Sequence, residues 1–513
     1  MGEVRQSIII LDFGSQYTQL IARRIREAGV YCEILPFDHS PESIYRKNLA
    51  GVILSGGPDS VLASDSPRPH TSIFNAQVPV LGICYGMQLL AHKLGGCVRS
   101  AEAREYGRAN LVIDPSSLLL KGVESPTTAW MSHGDDIKEI PEGFQVSATS
   151  GEIIAAMEDN QSHRYGVQFH PEVVHTSAGQ SIIENFLFKI CKCKGDWTVS
   201  SFIEDSVREI KEQIGDRSAI CGLSGGVDST VAAVLVQRAI GNRLLCVFVD
   251  NGLLRKSEFQ RVMETFKEHL GLNLSGVDAR ERFISALENI LDPEEKRKII
   301  GSEFIRVFEE QAKGEINYEH LVQGTLYPDI IESVSVKGPS VVIKSHHNVG
   351  GLPERMDLKL VEPLKELFKD EVRQVGLELG IPKRIIERHP FPGPGLAVRI
   401  IGEVTEGRLA MLRQADAIVI AELREADLYN SIWQAFAVLL PVQSVGVMGD
   451  ERTYENVVAV RAVHSIDGMT ADWFPIPPEI LGKISSRIVN EVKGINRVVY
   501  DISSKPPSTI EWE

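Results

Sequence analysis

A chain of 513 residues exceeds what one hydrophobic core supports and allows about three domains at ~150 residues each. With 43% hydrophobic and 24% charged residues, and no apolar run near the ~18 that span a bilayer, it does not read as a membrane-spanning or low-complexity protein. A formal charge of -15 argues against broad contact with a phosphate backbone, so neither membrane nor nucleic acid is expected as a partner. Residues 1–7 lead straight into Ile8-Ile9-Ile10-Leu11 without the apolar core of a secretory leader, and seven scattered cysteines fit reduced thiols. The expectation is a cytoplasmic protein.

From 7 to about 194, short apolar strands (8–13, 51–55, 78–83) alternate with a helical pattern (16–28), the order of an α/β fold with a largely parallel, helix-covered sheet. Cys193-Lys194-Gly195-Asp196 breaks the rhythm, which resumes with a helix to 214, a strand over 218–223, a helix from 228 and a strand over 244–249. Pro390-Phe391-Pro392-Gly393-Pro394-Gly395 is a dense run of helix breakers, followed by β-rich stretches at 444–448 and 457–463. The expected fold class is therefore α/β, with two parallel-sheet domains over 1–194 and 195–388 and a small α+β domain over 389–513.

Cys84 lies where an apolar run ends and a helical pattern begins, in Gly82-Ile83-Cys84-Tyr85-Gly86. The two glycines remove side chains that would crowd such a bend, and the N-terminus of a helix favours a thiolate. His170-Pro171-Glu172, closing a strand-like run, offers a base and a carboxylate to hold its tautomer. The backbone amides of Gly57, in Ser55-Gly56-Gly57-Pro58, and of Tyr85 are the expected oxyanion donors. Cys191-Lys192-Cys193 lacks a second ligand pair at zinc spacing and reads as two thiols at a helix end.

Ser224-Gly225-Gly226-Val227-Asp228-Ser229 stands between strand and helix, where successive amides make a nest for phosphate oxygens. It is not a Walker loop, and no such loop occurs in the chain.

The Gly-x-Cys-x-Gly elbow, the upstream Gly-Gly-Pro and the downstream His-Pro-Glu together resemble class I glutamine amidotransferases. That resemblance implies release of ammonia from glutamine through a thioester on Cys84. It also implies that Gln88, Ser132, His133 and Asp135 help hold glutamine, although a structural role suits them equally. The Ser-Gly-Gly-x-Asp-Ser string resembles N-type ATP pyrophosphatases, which cleave between the α and β phosphates. Pyrophosphate would then sit on Ser224, Gly225, Gly226, Ser229 and Thr230, with Val227 in the same ATP-binding loop, Val249 at the edge of the adenosine pocket and Asp228 positioning Mg²⁺.

The strings Gln323-Gly324-Thr325-Leu326-Tyr327-Pro328-Asp329, Lys344-Ser345-His346-His347-Asn348 and Lys505-Pro506-Pro507-Ser508-Thr509-Ile510-Glu511-Trp512-Glu513 resemble the glutamine-hydrolysing GMP synthetases from Ile8 to the last residue. The resemblance implies that ATP adenylates xanthosine monophosphate (XMP) and that ammonia displaces AMP to leave GMP. Asp329, Glu332, Lys344, His346 and His347 match the adenylation site, the last three on a lid loop with Lys344 offsetting charge on the α-phosphate. Arg297, Gln434, Lys505, Ile510 and Glu511 match positions that hold XMP, Arg497 reaches the substrate of a neighbouring subunit, and the chain forms a homodimer through its last domain. Ser504 departs from the glycine usual before Lys505. The rival readings are an NAD synthetase type of adenylating ligase and a non-catalytic nucleotide-binding scaffold.

Overall fold

The computed structural model describes residues 6–45, 48–313, 318–333, 358–448, 451–465 and 470–513. They form two compact units, one running through Phe202 and the other from Ile203 onward.

The first unit is built on nine strands: β1 (Ser7–Asp12), β2 (Tyr31–Pro36), β3 (Leu49–Leu54), β4 (Val80–Ile83), β5 (Cys97–Ile113), β6 (Thr127–Glu139), β7 (Gln145–Ser150), β8 (Ile153–Asp159) and β9 (Arg164–Val167). Their order across the sheet is β2-β1-β3-β4-β9-β8-β7-β5-β6. The first five in that order run parallel. Ile8, Ile9, Ile10 and Leu11 are all fully buried, as a continuous apolar run requires of a strand covered on both faces. The remaining strands pair antiparallel. This half is not visible in the sequence reading, because β6 buries every second residue for much of its length and so mixes apolar with small polar side chains.

In the second unit β10 (Ser218–Leu223), β11 (Leu244–Asp250), β12 (Leu274–Asp278), β13 (Tyr318–Val322) and β14 (Lys359–Val361) form a sheet in the order β12-β11-β10-β13-β14. Every pair in it is parallel. The winding therefore reverses between β10 and β13, and a crevice opens at the carboxyl ends of these two strands.

A further sheet contains the antiparallel pair β15 (Gln434–Met448) and β16 (Glu451–His464), the short β17 (Asp472–Trp473) and β18 (Ile495–Asp501), which runs parallel to β16. One hydrophobic core joins the two sheets of this unit, combining Ile220, Val247 and Leu321 with Leu396, Leu439, Val458 and Val460. The other face of the last sheet is closed by Ile510, packed with Phe436, Val438 and Ala459. The boundary expected at 388 falls inside this unit. Among the described residues no helix is long and apolar enough to cross a membrane.

Candidate active site

Cys84 is the single residue between β4 and the helix Tyr85–Lys93, with φ 52 and ψ -108. Such a backbone is costly for a residue with a Cβ and persists only where its surroundings impose it. A Cβ on Gly82 would lie 2.5 Å from the carbonyl of Gly86, and one on Gly86 would lie 2.4 Å from the carbonyl oxygen of Leu54. Only glycine lets strand and helix approach this closely. The Cys84 amide donates to Val167 (2.8 Å) and the Gly86 amide to Ser55 (3.1 Å). Tyr85, at the first helical position between them, has no acceptor within its own helix.

His170 follows β9 and is held on two sides. Its Nδ1 lies 2.8 Å from Glu172 Oε1, with exposures of 4% for the imidazole and 0% for the carboxylate, and the His170 carbonyl accepts from Thr176 Oγ1 at 2.6 Å. Burial pushes the imidazole pKa down, but the Glu172 charge and the hydrogen bond with Cys84 outweigh it and raise the pKa to about 10. Cysteine, imidazole and carboxylate thus form a connected chain that can supply a nucleophile, a proton carrier and an orienting acid.

The structure adds residues that the sequence reading missed. A Cβ on Gly56 would lie 3.3 Å from His170 Cε1 and 3.7 Å from Cys84 Cβ, so this glycine, one before Gly57, borders the reacting groups. Gln168 Nε2 is 3.7 Å from Cys84 Sγ, and Ser60 Oγ is 2.5 Å from Asp135 Oδ2, tying the glycine turn to β6. Among the expected glutamine-holding residues, Ser132 accepts the Cys84 thiol through its carbonyl at 3.6 Å. Gln88 is buried and donates to the Asp135 carbonyl (2.9 Å) and to Gln168 (3.2 Å). His133 donates from Nδ1 to the Asp135 carbonyl at 2.9 Å. Gly57 packs against Phe13, whose carbonyl oxygen would lie 2.8 Å from a Cβ there. Cys191 and Cys193 are buried free thiols, both raised in pKa by burial.

The second site sits at the crevice between β10 and β13. Residues 224–226 link β10 to the helix Val227–Ile240, with Gly225 at φ 71. Ser224 Oγ and Ser229 Oγ are 3.0 Å apart, Ser229 Oγ also accepts the Ser224 amide at 3.2 Å, and Thr230 donates to the Gly226 carbonyl at 2.6 Å. Gly324, just past β13, approaches so closely that a Cβ would lie 3.0 Å from the Asp228 carbonyl carbon. The Gln323-Gly324-Thr325 string therefore forms the opposite wall of this crevice.

Asp228 Oδ1 is buried without a hydrogen-bond partner, and Oδ2 lies 3.5 Å from Lys369 Nζ. An orphaned carboxylate oxygen beside a phosphate nest suits one protein ligand to a cation otherwise held by nucleotide phosphates. Among the described residues no group of three or more His, Cys, Asp or Glu could hold a metal alone.

Val249 is buried near the end of β11. Asp329 Oδ2 accepts the Leu326 amide at 3.1 Å and so caps its own short helix. Lys344, His346 and His347 lie outside the described residues, and only the backbone of Glu332 is described, within the helix Tyr327–Ser333.

The tail residues are drawn together by buried cations. Arg399 holds Glu511 with two hydrogen bonds of 3.0 and 2.8 Å, and Gln434 donates to the same carboxylate at 2.7 Å. Arg297 donates to the Glu513 carbonyl, beside the fully buried Lys296, which reaches Glu513 Oε2 at 2.5 Å. Ile510 is a core residue whose carbonyl accepts from Arg461 at 2.8 Å. Lys505 pairs its backbone with Ala471, and Ser504 donates to Asp472 at 2.7 Å. Arg497 stands apart on β18, where it pairs with Val457, whereas Gln434 pairs with Val463 at the other end of β16.

The family description glutamine amidotransferase class-I matches residues 9–190, NAD synthase matches 199–312, and GMP synthase C terminal domain matches 421–512. GMP synthase (glutamine-hydrolyzing) of Carboxydothermus hydrogenoformans is 59% identical over 507 residues, covering 99% of both chains. The protein of that name from Nitratidesulfovibrio vulgaris is 59% identical over 514 residues and all of both chains, and that from Brachyspira hyodysenteriae 57% over 99% of both. The chain belongs to the glutamine-hydrolysing GMP synthases. The likeness to NAD synthase covers part of the chain, whereas that to the GMP synthases runs from end to end, so the NAD synthetase reading is not favoured. Membership makes the chain an ATP-dependent ligase of guanine nucleotide synthesis, acting on small molecules with a divalent metal accompanying ATP.

Replacing Glu172 with Gln leaves burial unopposed by a carboxylate at His170. The proton now held to about pH 10 should be lost at a lower pH, and glutamine turnover should fall by roughly 10²-fold or more at unchanged melting temperature. Turnover within twofold of the parent would contradict the role of the carboxylate.

Proposed function

We propose that the chain aminates XMP to GMP by joining two half-reactions. Its best support is the pairing, in one chain, of a thiol at a strained strand-to-helix turn beside a Glu172-held imidazole with a phosphate nest at a sheet switch point. In the first, the Cys84 thiolate attacks the side-chain amide carbon of glutamine while the amides of Gly57 and Tyr85 receive the developing oxyanion. His170 protonates the departing ammonia, then takes a proton from the water that cleaves the thioester to release glutamate. Gln88, Ser132, His133 and Asp135 shape the glutamine pocket.

In the second, the 2-oxygen of XMP attacks the α-phosphorus of ATP. Pyrophosphate leaves into the loop 224–230, with Asp228 holding the cation, which we take to be Mg²⁺. Val249 borders the adenosine. Asp329, Glu332, Lys344, His346 and His347 act around the α-phosphate. Ammonia then attacks C2 and expels AMP. Arg297, Gln434, Lys505, Ile510 and Glu511 hold XMP, with Lys505 and Arg297 suited to its phosphate.

We also propose the division 1–194, 195–388 and 389–513, and a homodimer through the last of these, with Arg497 reaching the partner's site. Val445, Val447 and Tyr454 leave an apolar face exposed on the outer half of the β15–β16 pair, where Val445 is in register with Tyr454. Sedimentation at micromolar concentration should give twice the chain mass, and a monomer would remove this part of the reading.

Cys84→Ala should lower glutamine-dependent GMP formation by ~10³-fold or more while leaving formation from ammonium salts within twofold of the parent. Loss of both activities in a folded variant would contradict the division of labour.

A further inference from the structure

The geometry points to Arg388 as the positioning residue of the phosphate loop, an inference that rests on reading 224–230 as the pyrophosphate side of the ATP site. Arg388 Nη1 donates to the Gly225 carbonyl at 2.8 Å, and Nη2 of the same guanidinium pairs with Glu258. Glu258 opens the helix Glu258–His269, and its side chain is 2% exposed against 19% for Arg388. Its second oxygen accepts the Arg255 amide at 2.8 Å, so both carboxylate oxygens are engaged. Burial alone would raise the Glu258 pKa, but the Arg388 charge outweighs it and holds the carboxyl below its ordinary value.

The contact with the loop is close and directional. Gly225 turns at φ 71, and a Cβ there would lie 3.1 Å from Arg388 Nη1 and 3.2 Å from Val262 Cγ2. A planar fork satisfies the loop carbonyl and the buried carboxylate together, which a lysine ammonium cannot do with the same geometry. The next residue anchors the chain behind it. The His389 amide reaches the Tyr429 hydroxyl at 3.1 Å, its Nε2 donates to the Tyr429 carbonyl at 2.8 Å, and its Nδ1 accepts the Ala435 amide at 3.2 Å. Arg388 is thus fixed from its backbone as well as from Glu258. The Gly225 peptide is held before ATP arrives, and a preorganised donor set needs no rearrangement as charge builds on the departing pyrophosphate.

The test is ammonium-dependent GMP formation by the full chain, with ATP and XMP varied separately, in Arg388→Ala, Arg388→Lys and Glu258→Gln. All three should raise the KM for ATP by about tenfold at an XMP KM within twofold of the parent, and guanidinium should restore part of the Arg388→Ala loss. Arg388→Lys supplies the readout if Arg388→Ala does not fold. An unchanged ATP KM in a folded Arg388 variant, or an equal rise in both KM values, would overturn the assignment. Asp228→Asn separates the two levels: ATP use lost there but normal in the Arg388 variants removes only the role of Arg388, whereas ATP use intact in Asp228→Asn removes the reading of the loop itself.

Discussion

Both reactive centres depend on one constraint, a parallel strand that stops and becomes a helix within three residues or fewer. At Cys84 the switch takes one residue, forced to φ 52 and imposed by glycines at 82 and 86 that let strand and helix touch. At the phosphate loop it takes residues 224–226, with Gly225 in the left-handed region. In each case the first turn of the helix presents N–H groups that have no partner within the helix, aimed where negative charge arrives. In the proposed function that charge is a thiolate and an oxyanion in one place, and in the other the oxygens of a phosphate chain.

The electrostatics around the two centres differ in kind. His170 and Glu172 are a buried pair that meets Cys84, and against the opposing effect of burial the Glu172 carboxylate and that contact raise the imidazole pKa to about 10. In the second unit the buried charges form a series of close contacts. Arg388 meets Glu258, Arg255 lies 3.2 Å from Asp416, and Asp416 lies 3.9 Å from Arg399, which grips Glu511. Removing one member of such a series leaves an uncompensated buried charge, which is costlier than removing both partners. The C-terminal tail is therefore held in place by cations from the body of its own unit.

Cys84, the His170-Pro171-Glu172 string and the loop 224–226 stand out in the sequence as candidates because each lies in a short string whose local sterics leave few alternatives: glycines on both sides of a cysteine, proline between histidine and glutamate, two glycines before a helix. The strands β1, β3, β4, β10 and β11 are readable because they are continuous apolar runs. What escapes the sequence is long-range pairing of ordinary polar residues. Gln168 meets Cys84 from 84 positions away, Ser60 meets Asp135 from 75, and Arg399 meets Glu511 from 112. The antiparallel strand β6 escapes too, because its half-buried alternation carries no apolar run. Only family likeness points to a nucleotide at the tail, since Arg297 stands in a run of charged residues that otherwise looks solvated.

The central claim is that ATP primes the purine oxygen that ammonia later displaces. XMP carrying oxygen-18 at C2, incubated with the chain, Mg-ATP and an ammonium salt, tests it most directly by mass spectrometry of the products. The account predicts one labelled oxygen in the phosphate of AMP and none in pyrophosphate. Unlabelled AMP, or label in pyrophosphate or free phosphate, would contradict it.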